Sequence, residues 1–230
     1  MPDTSFLPSR DGLAFTNDWP PNSDAVVITL PGIGRVAIGD ASRGLCGGMV
    51  FTALDIFTAH APRPTAPRPD PGTPLFKHIV TRLLDSWRVP PGGAKYYQWM
   101  ITPDHSSELF GMLARRGVAA WTVEDEWKQV KRDLDAGTPA ALGLVTVESK
   151  DPRDLGQNHQ VVAWGYEQDA NRVRIKVYDP NTDRANGDGV HISMDLGDAE
   201  HSAHITHDVN IGHPVRGLFR IAYRPAPPPT

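Results

Sequence analysis

The apolar positions of this chain change period twice. A β-branched run, Ala25–Leu30 (AVVITL), predicts a strand; Pro31 and Gly32 break it, and Gly34–Ile38 returns as its hairpin partner. From Cys46 the period becomes helical. Met49, Val50, Ala53, Leu54 and Phe57 share one face and no proline interrupts residues 46–60, so a buried helix is expected with Cys46 in its first turn. A second stripe, Phe76, Ile79, Val80, Leu83, Leu84 and Trp87, predicts a helix over 75–87. Thr73 would be its N-cap and Pro74 its first helical position, with an end before Pro90-Pro91-Gly92-Gly93. Leu109, Met112 and Leu113 predict a short helix stopped at Gly117. Thr122 with Asp125 reads as a capping box that opens a helix through Trp127, Val130 and Leu134, closed by Gly137. After Pro139 the period shortens. Ala140–Val147, Gln160–Gly165, Val173–Tyr178, Val190–Met194 and Arg216–Tyr223 are apolar or β-branched runs separated by turns.

Helices first and strands second predict an α+β fold with a mainly antiparallel C-terminal sheet. The expected organisation is one domain over residues 1–224. Its helical part spans about 40–137 and its sheet part about 138–224, with an irregular N-terminal arm at 1–24 and a frayed tail, PAPPPT, at 225–230. Residues 39–44 read as a turn. Six prolines in residues 61–74 exclude helix and central strand there and predict an extended, solvated surface connector. Gly32-Ile33-Gly34 lacks the third glycine of a dinucleotide fingerprint and reads as a turn.

Composition narrows the chemistry. The chain has 230 residues, 40% of them hydrophobic, which suffices for a proper core. A single cysteine excludes an intramolecular disulfide and a Cys-only metal site, and leaves Cys46 as the one candidate thiol nucleophile. The net charge of −4 gives no drive toward nucleic acid or an anionic membrane. No apolar run approaches the ~18 residues of a membrane span, and Met1–Pro20 does not resemble a Sec-type signal peptide. The expected compartment is therefore the cytoplasm, with specialised export left open, and no cofactor is called for. His201, His204, His207 and His213 lie in a segment bracketed by Gly197, Gly212 and Pro214, which predicts a surface loop rather than a zinc site. Asp179, Asn181, Asp183, Asn186 and Asp188 lack the glutamate of a calcium loop and predict turns. Trp87, Trp99, Trp121, Trp127 and Trp164 fit core or cleft walls.

Three segments carry reactive groups. In Gly44-Leu45-Cys46-Gly47-Gly48 the cysteine falls at a helix N-terminus, where the helix dipole favours thiolate. The flanking glycines leave room for a substrate, and the Cys46 N–H is free to face an oxyanion. His159 opens the strand NHQVVAWGYE, at a sheet edge with its ring free to face another layer. Asp179 follows the next strand, in VYDPN. An antiparallel turn near Asp169-Ala170-Asn171 would bring Asp179 beside His159, where its carboxylate would fix the imidazole tautomer.

On these residues the sequence resembles the papain-like cysteine peptidase superfamily, closest in style to the bacteriocin-leader-peptidase-like branch. The match rests on Cys46-Gly47, LDAGTPAALGLV (Leu134–Val145), Asn158–Glu167 and Val177–Asn181, and covers roughly residues 40–60 and 122–182. It implies a two-part papain-like fold, a Cys46–His159 thiolate–imidazolium pair, Asp179 as orienter and a peptide or protein substrate. In that family a glutamine about six residues before the cysteine donates to the oxyanion; here Asp40 stands there, and Ser42 or Asn158 is left to supply the second donor, with Asn181 a further candidate at the oxyanion or behind the residues that line it. The resemblance implies a thiol hydrolase acting on an amide bond. A non-catalytic binding module, with the oxyanion site spoiled by Asp40, and an acyltransferase of transglutaminase type stay open beside it, as does the oligomeric state.

Overall fold

The computed structural model describes residues 3–19, 27–30, 34–37, 45–65, 67–88, 92–109 and 112–229. One turn of helix, α1 (Pro8–Asp11), precedes a hairpin of β1 (Val27–Leu30) and β2 (Gly34–Ala37). Three helices follow: α2 (Cys46–Thr58), α3 (Pro74–Arg88) and α4 (Gly92–Met100). Cys46 to Ile56 is buried without a break, as expected of a helix covered on both sides. It lies between α3 and the sheet. A Cβ added at Gly48 would come within 2.0 Å of the Ile79 carbonyl oxygen, so α3 crosses α2 at a distance only glycine allows. The entry to α3 is as the sequence predicts, with the Phe76 N–H donating to Thr73 Oγ1 at 3.4 Å and Pro74 in the first turn. Helix α4 was not expected, although Tyr96, Trp99 and Met100 form a buried i, i+3, i+4 stripe that carries the signal.

Leu109, Met112 and Leu113 lie in strands rather than in the expected short helix. β3 (Ser107–Leu109) and β4 (Met112–Arg115) pair as an antiparallel hairpin. Four apolar residues over five positions fit either period, and a helix so short cannot repay its nucleation. The capping box at Thr122 is also absent. The helix starts earlier, as α5 (Val118–Ala120), runs as a π-helix over Trp121–Glu126 and continues as α6 (Trp127–Asp135). Thr122 is buried and its hydroxyl accepts from the Leu218 N–H at 3.2 Å, while Asp125 pairs with Arg116. Tertiary partners took both residues. Gly137, at φ 75°, closes the helix as predicted.

The sheet comprises β5 (Ala140–Val145), β6 (His159–Asp169), β7 (Arg172–Tyr178), β8 (His191–Asp195), β9 (Thr206–His207) and β10 (Gly217–Arg220). Its order is β10-β5-β6-β7-β8-β9, antiparallel throughout. The fold is therefore α+β, with a helical part and an antiparallel sheet. Alternate residues divide the core. Val162 and Trp164 join α2, α3 and α4 in one hydrophobic cluster; Val161, Ala163, Ile175 and Val177 join Trp127, Val130 and Leu134 of α6 in the other. No helix among the described residues is long and apolar enough to cross a membrane.

Three segments expected to be loose are fastened. In the N-terminal arm, Phe6, Leu13 and Trp19 are core residues, and the Thr4 N–H donates to the Trp164 carbonyl at 2.8 Å. The proline-rich loop holds that arm. Arg63 donates to the carbonyls of Arg10 and Gly12 (2.8 and 3.2 Å), Arg68 pairs with Asp18 (2.8 Å), and Trp19 Nε1 donates to the Pro69 carbonyl (3.0 Å). The loop is thus a clamp rather than a bare connector. The C-terminal tail is held at Asp55, in the middle of α2. Asp55 Oδ1 accepts from Tyr223 Oη (2.8 Å), the Ala226 N–H (2.9 Å) and an Arg82 terminal nitrogen (3.1 Å), and Arg82 Nε lies 2.7 Å from Oδ2.

Because Asp55 and Arg82 are 1% and 5% exposed, truncating the acid leaves the buried guanidinium with the half-exposed Asp85, 2.7 Å away, as its one remaining carboxylate partner among the described residues. Asp55→Ala is expected to lower unfolding free energy by about 3–5 kcal/mol. Urea titration checks the size, and limited proteolysis should cut the released tail first.

Candidate active site

Cys46 is the first residue of α2. Its neighbour Leu45 contributes no side-chain cap, so the first-turn N–H groups stay available beside the thiol. Gly47 lets the helix start lie flat on the sheet, since a Cβ there would sit 2.6 Å from Gln160 Nε2 and 2.7 Å from its Oε1. Burial places the thiol at the inner end of a cleft of about 250 Å³ whose walls include His159, Asn17, Gln157, Asn181 and Asn210.

His159 is the first residue of β6, held by Tyr96 Oη donating to its carbonyl at 2.8 Å. Asp179 lies one residue beyond β7. Val162 pairs with Tyr178, so extending the register sets Asp179 across from Val161, and His159 two residues along on the same side. The two side chains meet: His159 Nε2 is 2.8 Å from Asp179 Oδ1. Nε2 being taken, Nδ1 is the ring nitrogen left for Cys46, which is close enough to act on the ring by charge and by hydrogen bond.

Asp179 has no exposed surface, and four donors satisfy it. Oδ1 accepts from His159 and from the Asn181 N–H (3.0 Å). Oδ2 accepts from Thr182 Oγ1 (2.8 Å) and from the Asn210 N–H (2.8 Å). Burial works against its ionised form. The His159 hydrogen bond and charge, with the two backbone N–H groups, outweigh burial and hold the carboxyl below its ordinary value. For His159, burial favours loss of the proton. The Cys46 charge, the Asp179 bond and the Cys46 bond prevail, and the ring's pKa rises from 6.5 to about 10. Tyr96 is pushed well above its usual 10 by burial and by the Cys46 charge.

The other residues read from the sequence are placed as follows. Asn158 lies beside the cleft, but its amide protons go to the Leu155 carbonyl (3.1 Å) and Met100 Sδ (3.2 Å), and its Oδ1 accepts from the Thr146 N–H. It has no proton to give an oxyanion. Asn181 backs Asp179 through its N–H rather than facing the thiol. Asp40 and Ser42 lie outside the described residues, as does the predicted 39–44 turn. The histidine-rich segment is only partly a surface loop: it supplies β9, and His213 reaches the cleft wall, its carbonyl 3.1 Å from His207 Nε2. Among the described residues, no group of three or more His, Cys, Asp or Glu is set to hold a metal ion.

Sequence reasoning missed Asn17, Thr182, Asn210 and Gln160. Gln160 donates to Ser86 Oγ at 3.2 Å, whereas its Oε1 and Trp87 Nε1 have no partner among the described residues, and both residues line a water-sized slot of about 10 Å³ next to Cys46. Gln160 follows the histidine directly, so β alternation was a signal that it faces the other layer. A larger concavity, about 800 Å³, lies over the far ends of β6, β7 and β8, around Arg172, Arg174 and Asp195; neither Cys46 nor His159 borders it.

The arrangement supplies a thiol at a helix start and an imidazole fixed by a buried carboxylate, with backbone N–H groups beside the sulphur. Such a set can make a nucleophile and move a proton to and from its reaction partner. Compared with protein-family models, curated proteins and solved structures, the chain matches none.

The Gly47 contact yields a test. Gly47→Ala should destabilise by about 1–3 kcal/mol through its clash with the Gln160 amide, and Gln160→Ala in the same chain should remove most of that cost. Gly48→Ala meets backbone at 2.0 Å, so no such partner change should rescue it. Thermal melts of the variants, singly and combined, check this.

Proposed function

We propose that this chain is a papain-like thiol hydrolase that cleaves an amide bond in a peptide or peptide-like substrate. The observation that carries this reading is the position of His159, buried between the Cys46 thiol and the Asp179 carboxylate at 2.8 Å. The cleft adds support. Asn17, Gln157, Asn181 and Asn210 border it, and its described walls hold no Lys, Arg, Asp or Glu side chain; neutral amides suit a peptide main chain.

In this mechanism Cys46 passes its proton to His159, and the thiolate attacks the scissile carbonyl. A C–S bond forms and the carbonyl electron pair moves onto oxygen, beside the Cys46 N–H. The oxyanion collapses, the C–N bond breaks, and the imidazolium protonates the departing amine. His159 then takes a proton from water as it attacks the thioester; the acid leaves and the thiol is restored. Asp179 stays ionised and holds the ring in the tautomer that both halves need.

Cys46→Ala should abolish hydrolysis and labelling by thiol-directed acyl traps. Iodoacetamide should alkylate native Cys46 at pH 6 faster than it alkylates free cysteine. Equal rates would refute the ion pair and favour a binding module that needs no thiolate.

The pH profile has a definite sign. Departure of the amine requires the imidazolium that holds the Cys46 proton, and its pKa is raised to about 10, so kcat/KM should hold through neutrality and fall as pH passes about 10. A profile that falls instead near the ordinary histidine value, about 6.5, would contradict the raised pKa.

A further inference from the structure

The hydrolase reading needs Asp179 to keep one orientation, and half of its hydrogen bonds come from outside its own turn. We propose that Asn210 is a positioning residue for the His159–Asp179 pair. Its N–H holds Asp179 Oδ2, and its side chain locks the loop that delivers that N–H. This inference rests on the hydrolase reading and extends it to a residue in the segment that the sequence pattern marks only as surface.

The lock is reciprocal. Asn210 Nδ2 donates to the Asn181 carbonyl at 2.9 Å, and Asn181 Nδ2 donates to the Asn210 carbonyl at 2.9 Å. Two segments 29 residues apart are thereby closed on each other. Asn17 Nδ2 adds a third, donating to Asn181 Oδ1 at 3.0 Å. The loop is also seated on either side of Asn210, by buried Val209 and by the His207 Nε2 contact to the His213 carbonyl. With Asn210 in place, Asp179 Oδ2 has one fixed donor and one rotatable hydroxyl, Thr182 Oγ1. Without that N–H, Oδ2 keeps only the hydroxyl, and the carboxylate is less restrained against turning about its Cβ–Cγ bond. That rotation carries Oδ1 away from His159 Nε2. The same loop runs on through Ile211, Gly212 and His213 along the cleft, so whatever binds there presses on the tether of the pair.

The test uses the full chain and needs no substrate: the pH dependence of Cys46 alkylation by iodoacetamide, read by intact mass. In the unaltered protein the fast rate should persist into acid. In Asn210→Ala the acid edge should move up by about one pH unit, because the unlocked loop no longer holds its backbone N–H on the ionised Asp179, and the plateau rate should fall about three- to tenfold. Asn210→Ser, which keeps a short donor, should lie between. The His159 Nε2 proton in the NMR spectrum should broaden or shift in the same order. Thermal melts run in parallel. A stability loss with an unchanged alkylation profile and an unchanged His159 signal makes Asn210 a loop anchor only and overturns the proposal. Should Asn210→Ala fail to fold, Asn210→Ser carries the same two readouts: a shifted profile and His159 signal support the proposal, and unchanged ones overturn it. If Cys46 of the unaltered protein is no faster than free cysteine at pH 6, the hydrolase reading and this inference fall together. A fast unaltered protein with unchanged variants overturns this inference alone.

Discussion

A carboxylate with no exposed surface is an expensive group, and Asp179 is one. An ionised acid moved out of water into a protein loses several kcal/mol of hydration, and it is kept only where partners replace that hydration. Four donors do so here, from His159, Asn181, Thr182 and Asn210. They come from the start of β6, the turn after β7 and the loop after β9. Asn17 of the N-terminal arm stiffens the group from a fourth segment. No single element can satisfy Asp179, so all of them must be folded together before the acid is comfortable. The site is therefore coupled to the fold as a whole, and the arm and distant loop are structural parts of it.

The thiol reaches this assembly from the other hydrophobic cluster. α2 belongs to the layer with α3 and α4, while His159 and Asp179 continue the strand row that packs on α6. The sulphur and the imidazole can meet only at the strand ends, where the sheet stops separating the layers. That requires α2 to sit unusually close to its neighbours on both sides. Gly47 and Gly48 provide the clearance, one against the Gln160 amide and one against the α3 backbone at Ile79. The two glycines after the cysteine thus have a packing reason that holds whether or not a substrate ever approaches them.

How much of this was legible follows from which interactions are local. The α2 and α3 stripes, the Thr73-Pro74 entry and the apolar or β-branched runs of β5 to β8 are short-range patterns, and they came through. So did the meeting of His159 and Asp179, because an antiparallel hairpin converts a spacing along the chain into a position across a ladder. Thr122 could not be read correctly, since the hydrogen bond that claims its hydroxyl comes from Leu218, far along the chain. Residues 107–115 failed because their few apolar positions suit either period. Asn210 and Thr182 are polar residues in turns, and nothing in their neighbourhood distinguishes a residue that grips a buried carboxylate from one that faces water. Arg63 and Arg68 were hidden for a related reason: a proline-rich stretch reads as a connector, and its two arginines find their acceptors in the arm.

On the hydrolase reading, the charge arithmetic of the site explains the neutral character of its cleft. Thiolate and imidazolium cancel as a pair, and Asp179 is balanced by hydrogen-bond dipoles rather than by a second full charge. The proton is shared out between sulphur and nitrogen by small differences, because in a poorly screened interior a further charge a few ångströms away would bias it by several kcal/mol. A lysine on the wall would favour thiolate while opposing the imidazolium; an aspartate would do the reverse. Amide side chains introduce neither bias. Asn17, Asn181 and Asn210 therefore do two compatible things: their amides tie the segments around Asp179 together, and, being uncharged, they leave the Cys46–His159 proton to be set by Asp179 and the helix start alone.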